Sequence, residues 1–566
     1  MNIDITVKIG GEAGQGIQTV GQILALACQK SGLYVFAIND FESRIRGGHS
    51  FFQIRISDKQ VRAPHHQVNM LICLDRRTLA LHRSEVVADG IIMMAAQDAG
   101  AEQGVLTIPV FALADKAGGS ITANTVAAGS CLALLGAPLE LFLAIIEKQF
   151  AGKSTETIAQ NSAAARLGYE AVAGMKCSAA FNWPGQNPRG ILMEGSQSVA
   201  FGALAGDLRF AAFYPMSPAT SILTHLTAVA DTFPLVVEQA EDEIAAANMI
   251  IGSSFAGVRS MTATSGGGFC LMVEALGLAG MTETPIVIVN AQRPGPATGL
   301  PTRTGQGDLQ FVISASQDEF PRFVFAPGSP EEAFSITARA LNLAEKYQVP
   351  AIILVDQFLL DSLYIIEKEF AVPDRIERYF ADNDSAMDGP AYKRYTVTAT
   401  GVSPRRLPCR GSALVAANGN EHSEDGHTTE EIAERNKMVQ KRLAKVPHML
   451  QEMEPPHPYC GDAHLLLVGW GSTAGTIQEA VDLLRAEGID CGALHFSDLW
   501  PFPVEVAKKM LEKASRFYVV ENNATGQLAQ LIRQELLRAP DGLLLKYDGR
   551  PFYPVEIANK IKELAR

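Results

Sequence analysis

Nowhere in this chain do two cysteines stand in a CxxC pair. The eight present, Cys28, Cys73, Cys131, Cys177, Cys270, Cys409, Cys460 and Cys491, are scattered singly, which argues against an iron–sulfur cluster or structural zinc held by this chain alone. They are also too few for a disulfide framework and read as buried small hydrophobes. A surplus of positive charge is missing as well. The 48 Lys and Arg against 61 Asp and Glu leave a formal charge of −13, with no basic stripe to attract a phosphate backbone, so nucleic acid is not expected as a partner. Long apolar runs are absent too: stretches such as residues 285–290 and 465–470 fall far short of the ~20 residues a membrane helix needs. The opening MNIDITVKIGGEAG has neither a charged and then apolar leader nor a cleavage site. A soluble cytoplasmic protein without membrane contact is the expectation.

What is present is a 566-residue chain with 47% hydrophobic residues, long enough for three or four domains. Short apolar runs alternate with helical periodicity in three segments, predicting an α/β fold of three successive domains. The first covers residues 1–180, with the strands ITVKIGG, LYVFAIND and MLICLD and a helix over 16–31. A Pro- and Gly-bearing linker follows at 181–190. The second domain, 191–375, holds runs such as FAAFYPMSP, RSMTATSGGG, TPIVIVNAQ and VPAIILVD, each a strand ending in a loop where open α/β sheets bind ligands. Residues 376–460 break into Asp-, Pro- and Gly-rich sequence and read as an extended connection with one charged helix near 429–442. A third α/β unit occupies 461–566. No short-period repeat is visible.

Six motifs could carry chemistry. Gly10 to Gly16 (GGEAGQG) sits between a strand and a helix, where backbone N–H groups and the helix dipole suit an anion. The spacing of Gly14, Gly16 and Thr19, with Asp40 ending the next strand, approaches a dinucleotide fingerprint without its third glycine; a plain tight turn explains it equally well. Ser43 to Ser50 (SRIRGGHS) adds Arg44 and Arg46. Tyr214 to Pro218 (YPMSP) is a proline-stiffened loop, by default a turn with a helix cap. Glu238 to Glu243 gives four carboxylates before a helix, most of them expected to be solvated caps, with one available for burial. Beyond Thr264 and its glycine run, QRPGPATGLPTRTGQGDL holds Arg293 in a proline-restrained loop suited to bidentate carboxylate binding.

Taken in order, YPMSP, EDEIAA, TATSGGG and QRPGPATGLPTRTGQGDL resemble the α subunit of 2-oxoacid:ferredoxin oxidoreductases. GGEAGQGIQTVGQILA with RIRGGHS is similar to the γ subunit of that family, fused in front, and VGWGSTAGTIQEAVDLL with LWPFP resembles its second α domain. The resemblance covers nearly the whole chain. It implies a γ-type domain, a thiamine-enzyme pyrimidine-type domain and a transketolase C-terminal-like domain. It further implies oxidative decarboxylation of a 2-oxoacid with coenzyme A as cosubstrate, with 2-oxoglutarate ahead of pyruvate.

By the same resemblance, Glu243 is the glutamate that hydrogen-bonds the aminopyrimidine of thiamine diphosphate, and Tyr214, Pro215 and Thr264 belong to the cofactor loop. Arg293 holds the substrate's C1 carboxylate, and Thr298 and Ser217 line the pocket; Ser217 keeps the hydroxyl of the family's threonine and lacks its methyl. Arg303 is a candidate for a second carboxylate, and Gly11, Gly14, Gly16, Arg44 and Arg46 are candidates for coenzyme A. The resemblance also implies that Mg2+ and a [4Fe–4S] cluster lie on a separate β subunit, doubled with this chain into a heterotetramer that passes electrons to ferredoxin; the lack of a GDG…N magnesium motif here fits that division. Rival readings are a lipoyl-linked thiamine dehydrogenase component, an NAD-dependent dehydrogenase built on the N-terminal glycines, and a non-catalytic assembly subunit.

Overall fold

The computed structural model describes residues 3–12, 16–42, 48–96, 102–185, 187–373, 375–381 and 392–564. Its strands form three sheets of eight, seven and five strands, within two compact units: residues 1–193 with 362–369, and 194–361 with 370–566.

In the first unit, the strand Asp4–Glu12 lies between His49–Ser57, antiparallel to it, and Val68–Cys73, parallel. Helix Ile17–Lys30 buries Ile17, Val20, Ile23, Leu24 and Ala27, a spacing of three and four that puts one apolar stripe in the core. The sheet is extended on the Tyr34–Phe41 side by Leu363–Ile366 and then Ile191–Glu194. Segments from both sides of the second α/β region thus end in the first sheet.

The seven-stranded sheet of the second unit has the order Val236–Gln239, Phe210–Phe213, Ser260–Thr264, Ile286–Gln292, Pro350–Asp356, Phe323–Phe325 and Asp498–Trp500. Ile286–Gln292 and Pro350–Asp356 are buried at every residue, as strands covered by helices on both faces must be, and so they read as continuous rather than alternating apolar runs. The pairs within it are parallel except that Asp498–Trp500 joins Phe323–Phe325 antiparallel. That edge strand comes from the last hundred residues, whose own sheet carries Leu465–Trp470, Cys491–Phe496 and Arg516–Glu521. Ile288, Ile352 and Leu354 share one core with Leu466, Val468, Trp470 and Phe496. The C-terminal segment is therefore continuous in packing with the second.

The connection between them is tied down by buried charge. Lys441 and Lys445 each reach the Glu283 carboxylate at 2.6 Å. Burial alone would raise that carboxyl; Lys445 and Lys441 hold it well below the usual range. Glu345 likewise takes Arg259 at 2.9 Å and Arg378 at 2.8 Å. Removing either glutamate would strand buried cations, a loss of roughly 3–5 kcal/mol. The charged helix of this region spans Ile432–Leu443. The cysteines divide: Cys28, Cys73, Cys131 and Cys491 are buried, but Cys270, Cys409 and Cys460 are exposed, so the reading of all eight as core residues does not hold.

Asp356, which ends a central strand, is fully buried. It accepts from Ser472 Oγ at 2.5 Å and from the Leu359 N–H at 2.9 Å. Burial pushes its carboxyl up to about 6 against these hydrogen bonds. Keeping it neutral therefore contributes stability that is complete below the ordinary carboxylate value and lost as pH rises through about 6, by up to ~3 kcal/mol. Asp356→Asn cannot ionise. Calorimetry at about pH 4.5 and about pH 7 should show the wild type losing melting temperature relative to the variant on going up; parallel profiles would mean that Asp356 does not titrate there.

Candidate functional site at the carboxyl ends of the central sheet

The acidic run before the helix Glu243–Phe255 splits by position. Glu238 and Glu241 are exposed. Asp242 is the N-cap, its Oδ1 accepting the Ala245 N–H at 2.7 Å. Glu243 points the other way and is only 3% exposed. Its Oε1 is buried with no hydrogen-bond partner among the described residues. A buried carboxylate oxygen left so costs several kcal/mol unless something donates to it.

Gly268 explains how that oxygen is enclosed. A Cβ there would stand 2.5 Å from Glu243 Oε1 and 1.9 Å from Thr264 Oγ1, so only glycine lets the helix Gly266–Met281 come this close. Thr264 ends the strand Ser260–Thr264, and its hydroxyl is also buried without a partner among the described residues. Two unsatisfied polar atoms thus lie against one glycine.

Arg293 follows the strand Ile286–Gln292 and donates from Nη1 to the Ser217 carbonyl at 2.7 Å. This bond joins the YPMSP loop to the QRPGPATG loop. Burial pushes the guanidinium's pKa down, and the charge of Glu243 pushes it back; the two side chains are within electrostatic reach of each other. Arg293 Nε is buried with no partner among the described residues. Around them, Tyr214 and Pro215 are exposed at the end of Phe210–Phe213, and Met216 Sδ accepts from Ser265 Oγ at 2.7 Å. Thr298 is exposed in the loop, and Arg303 is partly buried further along it.

Asn290 and Asp308 belong to the same region, and the sequence alone assigns neither a role. Asn290 Nδ2 donates to Asp308 Oδ2 at 3.2 Å, and the Asp308 N–H to Gln292 Oε1 at 3.1 Å. Burial raises the Asp308 carboxyl, with the Asn290 hydrogen bond opposing. An aspartate just before an apolar helix reads as a cap, but the Asp308 side chain caps nothing.

In the first unit, Gly11 lies in the strand Asp4–Glu12, and Gly16 adopts the left-handed conformation (φ 70°) at the head of the helix Ile17–Lys30. Gly14, Arg44 and Arg46 lie outside the described residues. Among the described residues no His/Cys/Asp/Glu group could hold a metal ion, and no helix is long and apolar enough to cross a membrane.

Residues 201–441 match the thiamine diphosphate-binding domain of pyruvate flavodoxin/ferredoxin oxidoreductases, residues 6–171 the pyruvate ferredoxin/flavodoxin oxidoreductase domain, and residues 463–557 the pyruvate:ferredoxin oxidoreductase core domain II. The chain is 33% identical to the 2-oxoacid:ferredoxin oxidoreductase subunit alpha of Saccharolobus solfataricus, over 99% of this chain and 98% of that one. This chain belongs to the 2-oxoacid:ferredoxin oxidoreductase family. It is an oxidoreductase with a thiamine diphosphate-binding domain. Over 66% of its length it is also 31% identical to 98% of the 2-oxoglutarate synthase subunit KorA of Methanothermobacter thermautotrophicus. A solved 2-oxoglutarate:ferredoxin oxidoreductase from Magnetococcus marinus, with 2-oxoglutarate, coenzyme A and succinyl-CoA bound, superposes with a TM-score of 0.90 at 30% identity over the full length of both chains. Three α/β sheets in one such chain agree with the fold class expected from the sequence.

Proposed function

We propose that this chain is the α subunit, with a γ-type domain in front, of an enzyme that oxidatively decarboxylates 2-oxoglutarate with coenzyme A to an acyl-CoA and carbon dioxide and reduces ferredoxin. Reductive carboxylation would use the same groups. The observation that carries the reading is the buried, partnerless Glu243 Oε1 against Gly268, with Arg293 in electrostatic reach. Glu243 and Thr264 fit the aminopyrimidine end of thiamine diphosphate: each offers a buried oxygen that still lacks a hydrogen-bond partner among the described residues. When bound, that cofactor supplies a nucleophilic thiazolium carbon and an electron sink. Glu243 would hold a proton shared with the ring nitrogen. Arg293, anchored by the Ser217 carbonyl, would present its remaining N–H groups to the 2-oxoacid's C1 carboxylate. Ser217 and Thr298 would line that pocket, Tyr214 and Pro215 the cofactor's side of it.

The preference for 2-oxoglutarate rests on Arg303, in the same loop as Arg293, as partner for a second carboxylate, and on the 2-oxoglutarate bound in the Magnetococcus marinus enzyme. Gly11, Gly14, Gly16, Arg44 and Arg46 would take part in holding coenzyme A. Magnesium and a [4Fe–4S] cluster would lie on a β subunit, two copies of each chain forming a cytoplasmic heterotetramer. The test is an assay of the complex co-purified with that subunit against a panel of 2-oxoacids, with coenzyme A and ferredoxin. 2-Oxoglutarate should show the highest kcat/KM, and this chain purified alone should be colourless and inactive. A higher kcat/KM for pyruvate would overturn the substrate assignment; visible iron–sulfur absorption from the lone chain would overturn the division between subunits.

A further inference from the structure

The loop that leaves the strand Ile286–Gln292 runs from Arg293 to Asp308 before the chain becomes helical again. Its near limb folds onto itself: the Leu300 N–H donates to the Pro294 carbonyl at 2.9 Å, and a Cβ on Gly305 would meet the Pro294 ring at 3.4 Å. Its far limb is held from another direction. Gln306 is fully buried, and among the described residues its hydrogen bonds all go to the C-terminal segment. The Gln306 N–H donates to the Asn522 carbonyl at 2.8 Å, and the Asn522 N–H returns a bond to Gln306 Oε1 at 2.9 Å. Gln306 Nε2 donates to the Trp470 carbonyl at 2.7 Å, and Asn523 Nδ2 donates to the Gln306 carbonyl at 3.1 Å. One glutamine is thus used at all four of its polar positions, reading like one more strand residue between the ends of two C-terminal strands.

Those strand ends are themselves rigid. Glu521, fully buried, accepts from Trp470 Nε1 at 3.0 Å, Asn523 Nδ2 at 2.8 Å and the Leu528 and Ala529 N–H groups at 2.9 and 3.1 Å. Gln527 Nε2 bonds the Gly307 carbonyl at 2.7 Å beside the clamp. A second C-terminal loop approaches the same limb: a Cβ on Gly549 would lie 3.0 Å from Leu300 Cδ1 and 3.1 Å from Arg303 Cβ. A limb held at this many points has no freedom to follow the substrate. Its geometry is set by a segment that contributes none of the groups assigned to the chemistry.

We infer that the C-terminal α/β segment positions the substrate loop through Gln306, with Asn522, Asn523 and Trp470 as the other half of the clamp, and that Gln306 is a positioning residue for 2-oxoacid binding. The inference rests on the assignment of Arg293 and Arg303 to the 2-oxoacid. Without the Gln306 side chain the buried Asn522 N–H loses its acceptor and the Trp470 carbonyl keeps only the Thr473 hydroxyl, so the limb loses two of its four ties and shifts to satisfy the Asn522 N–H. A displacement of about 1 Å in a substrate-holding group is enough to cost on the order of 10²-fold.

The experiment uses the complete enzyme, co-expressed with its partner subunit, in four forms: wild type, Gln306→Met, Arg293→Ala and Leu484→Ala. Methionine keeps the volume of Gln306 without its polar atoms. Leu484 is fully buried in the C-terminal segment's own core, away from the clamp, and truncating it destabilises that segment without touching the loop. Gln306→Met should raise the KM for 2-oxoglutarate about 10-fold or more with kcat within about 3-fold and the KM for coenzyme A unchanged. Leu484→Ala should lower the melting temperature with all three constants as in wild type. If Arg293→Ala raises the 2-oxoacid KM and Gln306→Met does not, the clamp is overturned and the substrate site stands. If neither changes it, the substrate site itself is wrong. An equal rise in Gln306→Met and Leu484→Ala would reduce the clamp to ordinary stability. Should Gln306→Met fail to accumulate, Asn523→Ala removes one bond of the four, together with the Asn523 bonds to Glu521 and to the Thr525 and Gly526 N–H groups, and is read against Leu484→Ala: a rise in the 2-oxoacid KM beyond that of Leu484→Ala supports the clamp, and no such rise overturns it.

Discussion

Glu243→Gln is expected to leave the enzyme assembled and to reduce its turnover by about 10²–10⁴-fold, the usual worth of a positioned acid–base group. The amide matches the carboxylate in size, so the close approach of Gly268 and the start of the helix are unchanged. What is lost is a group able to hold a shared proton at the buried Oε1 position, which has no partner among the described residues. Glu241→Gln is the control, because that side chain is exposed at the same helix start and its removal should leave turnover near normal. The reading requires melting temperature and subunit association in Glu243→Gln to match wild type while kcat collapses. Near-normal turnover in that variant, with loss in Glu241→Gln, would move the role to the neighbouring carboxylate.

Arg293→Ala should damage use of every 2-oxoacid alike, because the C1 carboxylate is common to the class. Breaking a desolvated charge pair by removing one partner costs roughly 3–5 kcal/mol, which is about 10²–10³-fold or more in kcat/KM. The guanidinium is only partly buried, which favours the lower end. Its bond to the Ser217 carbonyl also disappears, loosening the YPMSP loop; part of the loss should therefore appear in kcat. Arg303→Ala separates the two ends of the substrate: it should cost 2-oxoglutarate far more than pyruvate. If Arg293→Ala instead spared pyruvate and abolished 2-oxoglutarate, the two arginines would have to exchange roles.

Much of this molecule is legible residue by residue, wherever the deciding physics is local. Strands such as Ile286–Gln292 and Pro350–Asp356 announce themselves as unbroken apolar runs because both faces of a parallel sheet are covered. Asp242 is a cap by type and place, and the ordered motifs carry the family. Burial and long-range pairing are another matter. Which carboxylate of this run turns inward depends on how the chain passes from the strand Val236–Gln239 into the helix Glu243–Phe255, and on Gly268, twenty-five residues on, leaving room for it. The exposure of Cys270, Cys409 and Cys460 likewise depends on which face of the finished fold each reaches. Asp308 looks like a cap, and only the folded chain shows it held by Asn290. Gln306 is the plainest case: a polar residue in a glycine-rich loop carries no sign of a partner, because Trp470, Asn522 and Asn523 lie more than 160 residues away and meet it only in the folded chain. The sequence by itself determined the elements, their order and the residue types available for chemistry, since these follow from periodicity and side-chain character. Tertiary structure decided which polar atoms were stripped of water and which were paired, since that depends on surfaces brought together from distant parts of the chain.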